Sequence, residues 1–294
     1  MTLREYLAAR QRQIEAALDA WVPPETTPPE TIHRAMRYSL FAGGKRIRPI
    51  LCLAAAEAVR DDPAGVEDAA CALELVHTYS LIHDDLPALD NDALRRGRPT
   101  AHIVFGEAIA ILAGDSLLTL AFQVLSEMNG ASAECRLRLC RELATAAGTV
   151  GGMIAGQVHD LEGEGKPPTP ELLEQIHRAK TGALLRASLR IGAIYAGAGE
   201  DELEALSRYG DHIGLAFQIV DDLLDVEQTS EKLGKTAGKD AARQKITFPA
   251  VYGVERSHRM AEVELECAHR ALEPFGERAR RLHELAEFIV HRRA

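Results

Sequence analysis

Apolar residues recur at three- and four-residue intervals along most of the chain, the spacing of helices that bury one face. Residues 2–21 read as an amphipathic helix, followed by a proline-rich connector, WVPPETTPPE, over 21–30. Proline cannot continue a helix interior but can begin the next helix, which runs to about Ala42 and stops at Gly43-Gly44. Residues 50–60 and 66–86 predict Ala- and Leu-rich helices. Residues 105–128, FGEAIAILAGDSLLTLAFQVLSEM, are apolar on nearly every side and predict a central buried helix. The helical pattern continues over 133–156. EGEGKPPTPE (162–171) is a loop, from which Thr169 caps and Pro170 opens a helix reaching about Tyr195. Another helix covers 200–226, a polar segment occupies 227–245, and helices near 248–272 and 276–291 close the chain. No stretch alternates with a period of two, and no strand–helix alternation appears. The expectation is an all-α fold, one domain over 1–294.

Charge narrows the partners. The chain of 294 residues carries 34 Lys+Arg against 44 Asp+Glu, a formal charge of -10. That balance argues against a nucleic-acid partner but leaves room for an anionic ligand wherever basic residues or a metal gather. With 46% hydrophobic and 27% charged residues the chain is not a disordered one. No apolar run is expected to reach the roughly 18 residues of a membrane span, and the charged start MTLREYLAARQRQIEAAL has no apolar signal core. Cys52, Cys71, Cys135, Cys140 and Cys267 are odd in number and lie in helix-like sequence. They read as reduced packing residues of a cytoplasmic protein without stable membrane insertion.

The acidic residues concentrate the chemistry. HDDLPALDND brings Asp84, Asp85, Asp90 and Asp92, and DDLLD brings Asp221, Asp222 and Asp225. Both clusters interrupt apolar sequence, where carboxylates repel one another and lose solvation. Hard oxygen ligands of this kind suit Mg2+, which takes a few carboxylates plus substrate phosphates. At about 100° per residue, positions 214, 218, 221, 222 and 225 share one helix face, so Gly214 and Gln218 join the three aspartates and the glycine leaves room beside them. In the first cluster Asp90 lies about 120° from Asp84 on an ideal wheel, so a distorted turn must bring it round. His77 and Ser80 fall near the Asp84 face. Basic residues follow the same order. GGKRIRP supplies Lys45, Arg46 and Arg48; LRRGRPT supplies Arg95 and Arg96 after the first acidic cluster; Lys235, Lys239 and Lys245 follow the second. Guanidinium forks and lysine ammonium groups fit phosphate oxygens. Acid followed by base, twice over, implies a ligand with polyanionic ends.

GGKRIRP, LIHDDLPALDNDALRRGRPT, AKTGALLRA, FQIVDDLLDV, LGKTAGKD and KITFPA, in that order, resemble the trans-polyprenyl diphosphate synthase family, the bacterial farnesyl diphosphate synthases in particular. The resemblance spans residue 30 to the C-terminus. It implies an all-α bundle of long helices around a deep central cavity, usually a homodimer. It further implies that Mg2+ bound by Asp84, Asp85, Asp90, Asp221, Asp222 and Asp225 holds an allylic diphosphate. Arg95, Lys180 and Lys235, with the aspartates, would stabilise the departing diphosphate. Oxygens near Lys180-Thr181 and Gln218 would stabilise the allylic cation, and Lys45, Arg48, His77 and Arg96 would hold isopentenyl diphosphate. Lys245 would join the substrate-binding set, whereas His102, Asp115, Gln157 and Asp160 would support it from behind. A lone histidine such as His77 is ordinarily a satisfied core residue, and a mid-helix Thr-Gly pair is equally compatible with a kink alone; their functional reading rests on the matched motifs.

Product length is assigned by the same resemblance. Tyr79 stands five residues before Asp84, about 7.5 Å along a helix but about 140° around it, and a bulky residue here would stop growth at fifteen carbons. Ser80, nearer the Asp84 face, is small, and Pro87-Ala88 belongs to the same short-product pattern. The product expected is farnesyl diphosphate, with geranyl or geranylgeranyl diphosphate as the alternatives. A terpene cyclase would not need the second acidic row or the Lys45/Arg48/Arg96 site. A metal phosphohydrolase built on His83-Asp84 with His77, His102 and Asp115 would leave Asp221, Asp222 and Asp225 without a role. A non-catalytic partner subunit would need neither row.

Overall fold

A computed structural model describes residues 1–227 and 245–292. In chain order the helices are α1 (Leu3–Trp21), α2 (Glu30–Leu40), α3 (Ile47–Val59) and α4 (Val66–Asp84). A hairpin of β1 (Leu94–Arg95) and β2 (Arg98–Pro99) comes next. Then follow α5 (Ala101–Phe105), α6 (Glu107–Glu127), α7 (Ala133–Ala147), α8 (Met153–Gly163) and α9 (Pro170–His177). A π-helical turn, Arg178–Gly182, joins α9 to α10 (Ala183–Ala196), followed by α11 (Glu200–Glu227), α12 (Phe248–Tyr252) and α13 (Val254–Ala271). A 3-10 segment, Glu273–Ala279, leads to α14 (Arg280–Val290). The all-α expectation holds, with one two-stranded antiparallel hairpin among the described residues.

The chain separates into two compact units, Met1–Ile50 with Ala64–Cys140, and Leu51–Pro63 with Arg141–Ala294. In the first, α4 is the central helix: its side chains from Val66 to Ile82 are buried almost throughout. It packs lengthwise against α6. Helix α1 opens on a capping box in which Thr2 and Glu5 each bond the other's backbone N–H, and it buries Tyr6, Ile14 and Leu18. The expectation for 105–128 is corrected here. Helix α6 buries Ala110, Ala113, Leu117, Ala121 and Val124 but exposes Ile111 and Leu112. An apolar pattern on every side fits a core helix or one whose outer face awaits a second surface, and periodicity does not separate the two. With a mean hydropathy of 1.8 over its most apolar window, α6 is also long and apolar enough to cross a membrane by composition, contrary to expectation.

In the second unit α10 is buried along nearly its whole length, and α11 packs on it and on α13. Thr169 caps α9 by accepting from Leu172 N at 3.3 Å, with Pro170 at the first helical position, as the sequence predicts. The helix expected from 170 to 195 is instead interrupted by the π turn at Arg178–Gly182.

Candidate functional site

The first acidic cluster sits where α4 ends. Asp84 closes the helix and Asp85 is its C-cap. The chain then winds back on itself: Asp90 N donates to Asp84 O at 2.7 Å, and Asp92 N to Asp85 O at 3.1 Å. This is the distorted turn that brings Asp90 beside Asp84. The hairpin follows. Its two-residue loop, Arg96-Gly97, has φ of 53° and 73°, the left-handed pair that a tight type I′ hairpin requires. Arg95 clamps Asp85 bidentately, Nε at 2.9 Å from both carboxylate oxygens and Nη2 at 2.7 Å from Oδ1. Asp85 is 3% exposed. Burial pushes its carboxyl above the usual range and Arg95 opposes that; burial likewise works against the Arg95 charge, but Asp85, with Asp84 and Asp90, holds it on. Asp84 and Asp90 keep partial access to solvent.

The GGKR loop and the hairpin meet. Arg96 Nη1 donates to Gly43 O. Burial, then Arg48, Arg96, Arg95 and Arg46, push the His77 pKa well below its ordinary value, so these four guanidiniums surround a neutral imidazole. Lys45 is exposed beside them. Arg46, one of the same basic run, is instead a core residue: its guanidinium bonds Glu74 Oε1 at 2.6 Å and Leu40 O at 2.7 Å. Tyr79 is buried and stands edge-on to His83, ring centroids 5.7 Å apart; burial, then Asp84, pushes its phenol up to about 12. His83 is braced by Ile111 O at 3.0 Å. Ser80 Oγ is spent on His77 O at 2.8 Å. His102 Nδ1 meets Thr100 Oγ1 at 3.1 Å, and Asp115 lies 3.8 Å from His83 Nε2.

The second cluster lies near the C-terminal end of α11. Thr181 Oγ1 donates to Gln218 Oε1 at 2.8 Å, and Gln218 Nε2 donates to Asp222 Oδ1 at 2.7 Å. Asp222 Oδ2 accepts from Phe248 N at 2.9 Å and lies 3.6 Å from His177 Nε2. His177 stacks on Phe248 with centroids 5.2 Å apart, and burial is the main cause that lowers its pKa to about 3. Lys180 Nζ donates to Asp160 Oδ2 at 2.6 Å, and Lys245 Nζ is 3.6 Å from the same oxygen. Burial works against the Asp160 charge, but Lys180, then Lys245, hold its carboxyl below the usual range. Asp222 and Asp225 are buried, whereas Asp221 is partly open and accepts from Arg292 Nη2 at 2.7 Å. That guanidinium lies over the Phe217 ring at 3.9 Å. The space beside Gly214 is filled by protein: a Cβ there would stand 2.9 Å from Gly182 Cα. The glycine leaves room, as the sequence predicts, and what occupies it is the π turn packed against α11.

Among the described residues no three His, Cys, Asp or Glu side chains form a metal cage of their own. Mg2+ fits such a setting, because it usually takes one or two carboxylates and completes its shell with water and substrate phosphates. The partly open oxygens of Asp84, Asp90 and Asp221 are donors of that kind.

Residues 29–278 match the family model described as polyprenyl synthetase. This chain belongs to the polyprenyl synthetase family. It is 47% identical over 274 residues to a farnesyl diphosphate synthase of Geobacillus stearothermophilus, covering 92% of each chain. It is also 47% identical over 292 residues to a geranylgeranyl diphosphate synthase of Cyanophora paradoxa, covering 99% of this chain and 96% of that one. Among solved structures it superposes on an FPP/GFPP synthase from Zymomonas mobilis with a TM-score of 0.87 at 36% identity, covering 98% of both.

For a polyprenyl synthetase, the motif residues divide in an instructive way. The first unit gathers Asp84, Asp85, Asp90, Arg95, Arg96, Arg48 and His77; the second gathers Lys180, Thr181, Gln218, Asp221, Asp222 and Lys245. Lys235 and Lys239 lie outside the described residues. Sequence reasoning missed His177 and Phe248 N, and it left open whether the Arg292-Arg293 tail reaches the site. The first two touch Asp222 from 45 and 26 positions away, and Arg292 touches Asp221 from 71 positions away. No local spacing signals such partners. His83 has a role in sequence only under the hydrolase alternative, although its place four residues after Tyr79 signals a shared helix face.

Proposed function

We propose that the chain is a Mg2+-dependent trans-prenyltransferase that joins an allylic diphosphate to isopentenyl diphosphate and releases farnesyl diphosphate. The observation that carries the reading is two acidic rows, each with an aspartate bonded to an arginine, Asp85 to Arg95 and Asp221 to Arg292, in a chain of the polyprenyl synthetase family. Asp84, Asp90 and Asp221 are the open carboxylates that would hold Mg2+ on the allylic diphosphate. Asp85, Asp222 and Asp225, assigned to the same role from sequence, are buried and would hold the geometry behind them. When bound, Mg2+ supplies Lewis-acid neutralisation of the charge on the leaving group. Arg95 and Lys180 add fixed positive charge for that diphosphate, and Lys235 is assigned to it from the sequence motif alone. The allylic C1–O bond breaks, and the cation is stabilised by the oxygens of Thr181 and Gln218, whose orientation is set by the Thr181–Gln218–Asp222 relay. Isopentenyl diphosphate is held by Lys45, Arg48, Arg96 and neutral His77. Its double bond forms the new carbon–carbon bond, and the proton released goes to the departing diphosphate.

Fifteen carbons follow from Tyr79, whose ring is buried and pinned edge-on by His83. The two relatives at 47% identity are named for different products, so overall similarity does not set the length. Exposed Ile111 and Leu112 on α6 support a homodimer, and the chain is proposed to act in the cytoplasm as one functional domain.

The test incubates protein with Mg2+, dimethylallyl diphosphate and isopentenyl diphosphate, then separates the dephosphorylated alcohols. Farnesol is expected from the wild type, and longer alcohols from Tyr79→Ala. Asp84→Ala and Asp221→Ala should each depress turnover at least about 100-fold with little change in melting. No consumption of isopentenyl diphosphate would overturn the activity; an unchanged Tyr79→Ala product would overturn the length assignment alone.

A further inference from the structure

A cavity of about 490 Å³ opens on the first unit, walled by α2, the hairpin and α5. That volume is within the roughly 300–1,000 Å³ of small-molecule sites. Three guanidiniums, Arg34, Arg37 and Arg98, and three rings, Tyr38, Phe41 and Phe105, line it. Arg98 lies over the Tyr38 ring at 4.8 Å, Arg37 over Phe41 at 4.9 Å, and Phe105 stands edge-on to Tyr38 at 5.4 Å. Arg37 is held in place by Val22 O at 3.0 Å and by Asp19. Arg34 and Arg98 are exposed, and no carboxylate among the described residues pairs with either. Glu25 also lines the cavity, so its walls carry three positive charges and one negative, net +2, in a chain of -10.

We propose that this cavity binds a planar aromatic anion of the nucleoside phosphate class. Phosphate oxygens match the two unpaired guanidinium forks, and a base ring matches the aromatic walls. A bare phosphate would leave the rings unused. A neutral aromatic would leave Arg34 and Arg98 unused. The cavity is one strand pair from the acidic row: Arg98 is the cross-strand partner of Arg95, and Tyr38 Oη ties β2 to α2 through Pro99 O at 2.8 Å. A ligand gripping Arg98 therefore engages the hairpin whose other strand holds Asp85.

Binding is measured on the full chain without prenyl substrates or metal, so the result is separate from the reaction assigned above. Adenosine monophosphate, adenosine and inorganic phosphate are titrated by calorimetry. Saturable binding of the monophosphate is expected, with adenosine and phosphate each at least about tenfold weaker. Arg34→Ala and Arg98→Ala should each weaken the monophosphate by about tenfold, the loss of one charge-assisted hydrogen bond. Arg34→Gln and Arg98→Gln serve in their place where an alanine variant melts lower than the wild type. Three results would each overturn the site: no saturable binding of the monophosphate at millimolar concentration, equal binding by inorganic phosphate, or affinity unchanged in both arginine variants.

Discussion

Alanine at Gly156 adds one carbon to α8, and the surroundings have no space for it. A Cβ there would stand 2.7 Å from Lys180 Cβ and closer still to the Lys180 backbone nitrogen and Cα. The Lys180 nitrogen would be the nearest atom and ordinary contact begins at 3.4 Å, so α8 and the π turn must separate by more than an ångström. Backbone, not a flexible side-chain tip, has to move. Overpacking of this kind costs about 1–3 kcal/mol, and alanine's better helix propensity returns about 1 kcal/mol. With contact against backbone the upper end applies, and a net loss of about 2 kcal/mol is expected, some 5 °C in melting temperature for a chain of this size. The effect on turnover should exceed what stability alone explains. The same turn carries Lys180, bonded to Asp160, and Thr181, the start of the relay to Gln218 and Asp222. A displacement of about 1 Å at such a group costs up to about 100-fold in rate. Gly199, at the start of α11, whose added Cβ would meet nothing within 4 Å, is the control; its alanine variant should lose only the capping preference of glycine, about 1 kcal/mol or less, and keep wild-type turnover. Calorimetric melts and the condensation assay, run on both variants below their melting range, test the reasoning. If Gly156→Ala melts and turns over like Gly199→Ala, the close approach has no energetic meaning.

Two further outcomes follow from the first unit. Arg95→Lys replaces a two-pronged clamp on the buried Asp85 with a point charge; urea unfolding should show a loss of about 2 kcal/mol, and unchanged stability would deny the clamp its role. His77 has its folded pKa held well below the ordinary 6.5, so below pH 6.5 the unfolded chain binds a proton that the folded chain refuses. Stability is then full above 6.5 and falls by about 1.4 kcal/mol per pH unit below it. His77→Gln should remove that component of the slope between pH 6.5 and 5, and identical slopes would refute the assignment.

The parts legible in sequence were those governed by local periodicity. The Asp221, Asp222 and Asp225 face, the Thr169 cap and the need for a turn between Asp84 and Asp90 all follow from about 100° per residue and from cap chemistry. Two-residue strands carry no alternation to detect, so the hairpin that aims Arg95 was invisible, although Arg-Gly between arginines is compatible with its turn. Apolar residues around all of α6 could not say whether its outer face meets protein or solvent. Gly214 shows a different limit: a missing side chain is equally consistent with a ligand or with another backbone, and only the position of Gly182 decides. The π turn was legible only in part: the Thr181-Gly182 pair marks a mid-helix kink, but RAKTG carries no proline or double glycine to show that the helix is widened there.

Asp85, Asp222 and Asp221 differ in the partners each already has. Asp85 faces a guanidinium fork making three bonds, and pulling it away would leave a buried carboxylate uncompensated, a loss of about 3–5 kcal/mol. Asp222 is saturated by an amide and a backbone N–H, with His177 neutral beside it. Asp221 differs from both. It is 45% exposed at the side chain and accepts from Arg292 at a single oxygen, near the end of the chain rather than within a hairpin. Burial already weakens the Arg292 charge, and Asp221 only opposes that. A carboxylate that is half in water surrenders one such bond at a cost of about 1 kcal/mol or less, well within the interaction with a bound divalent ion. Asp84 and Asp90 share with Asp221 only their partial exposure. On the proposed reading the rows therefore divide by access: Asp85 and Asp222 are held by guanidinium, amide and backbone donors, Asp225 is buried, and Asp84, Asp90 and Asp221 keep the partial exposure at which a metal would be taken up.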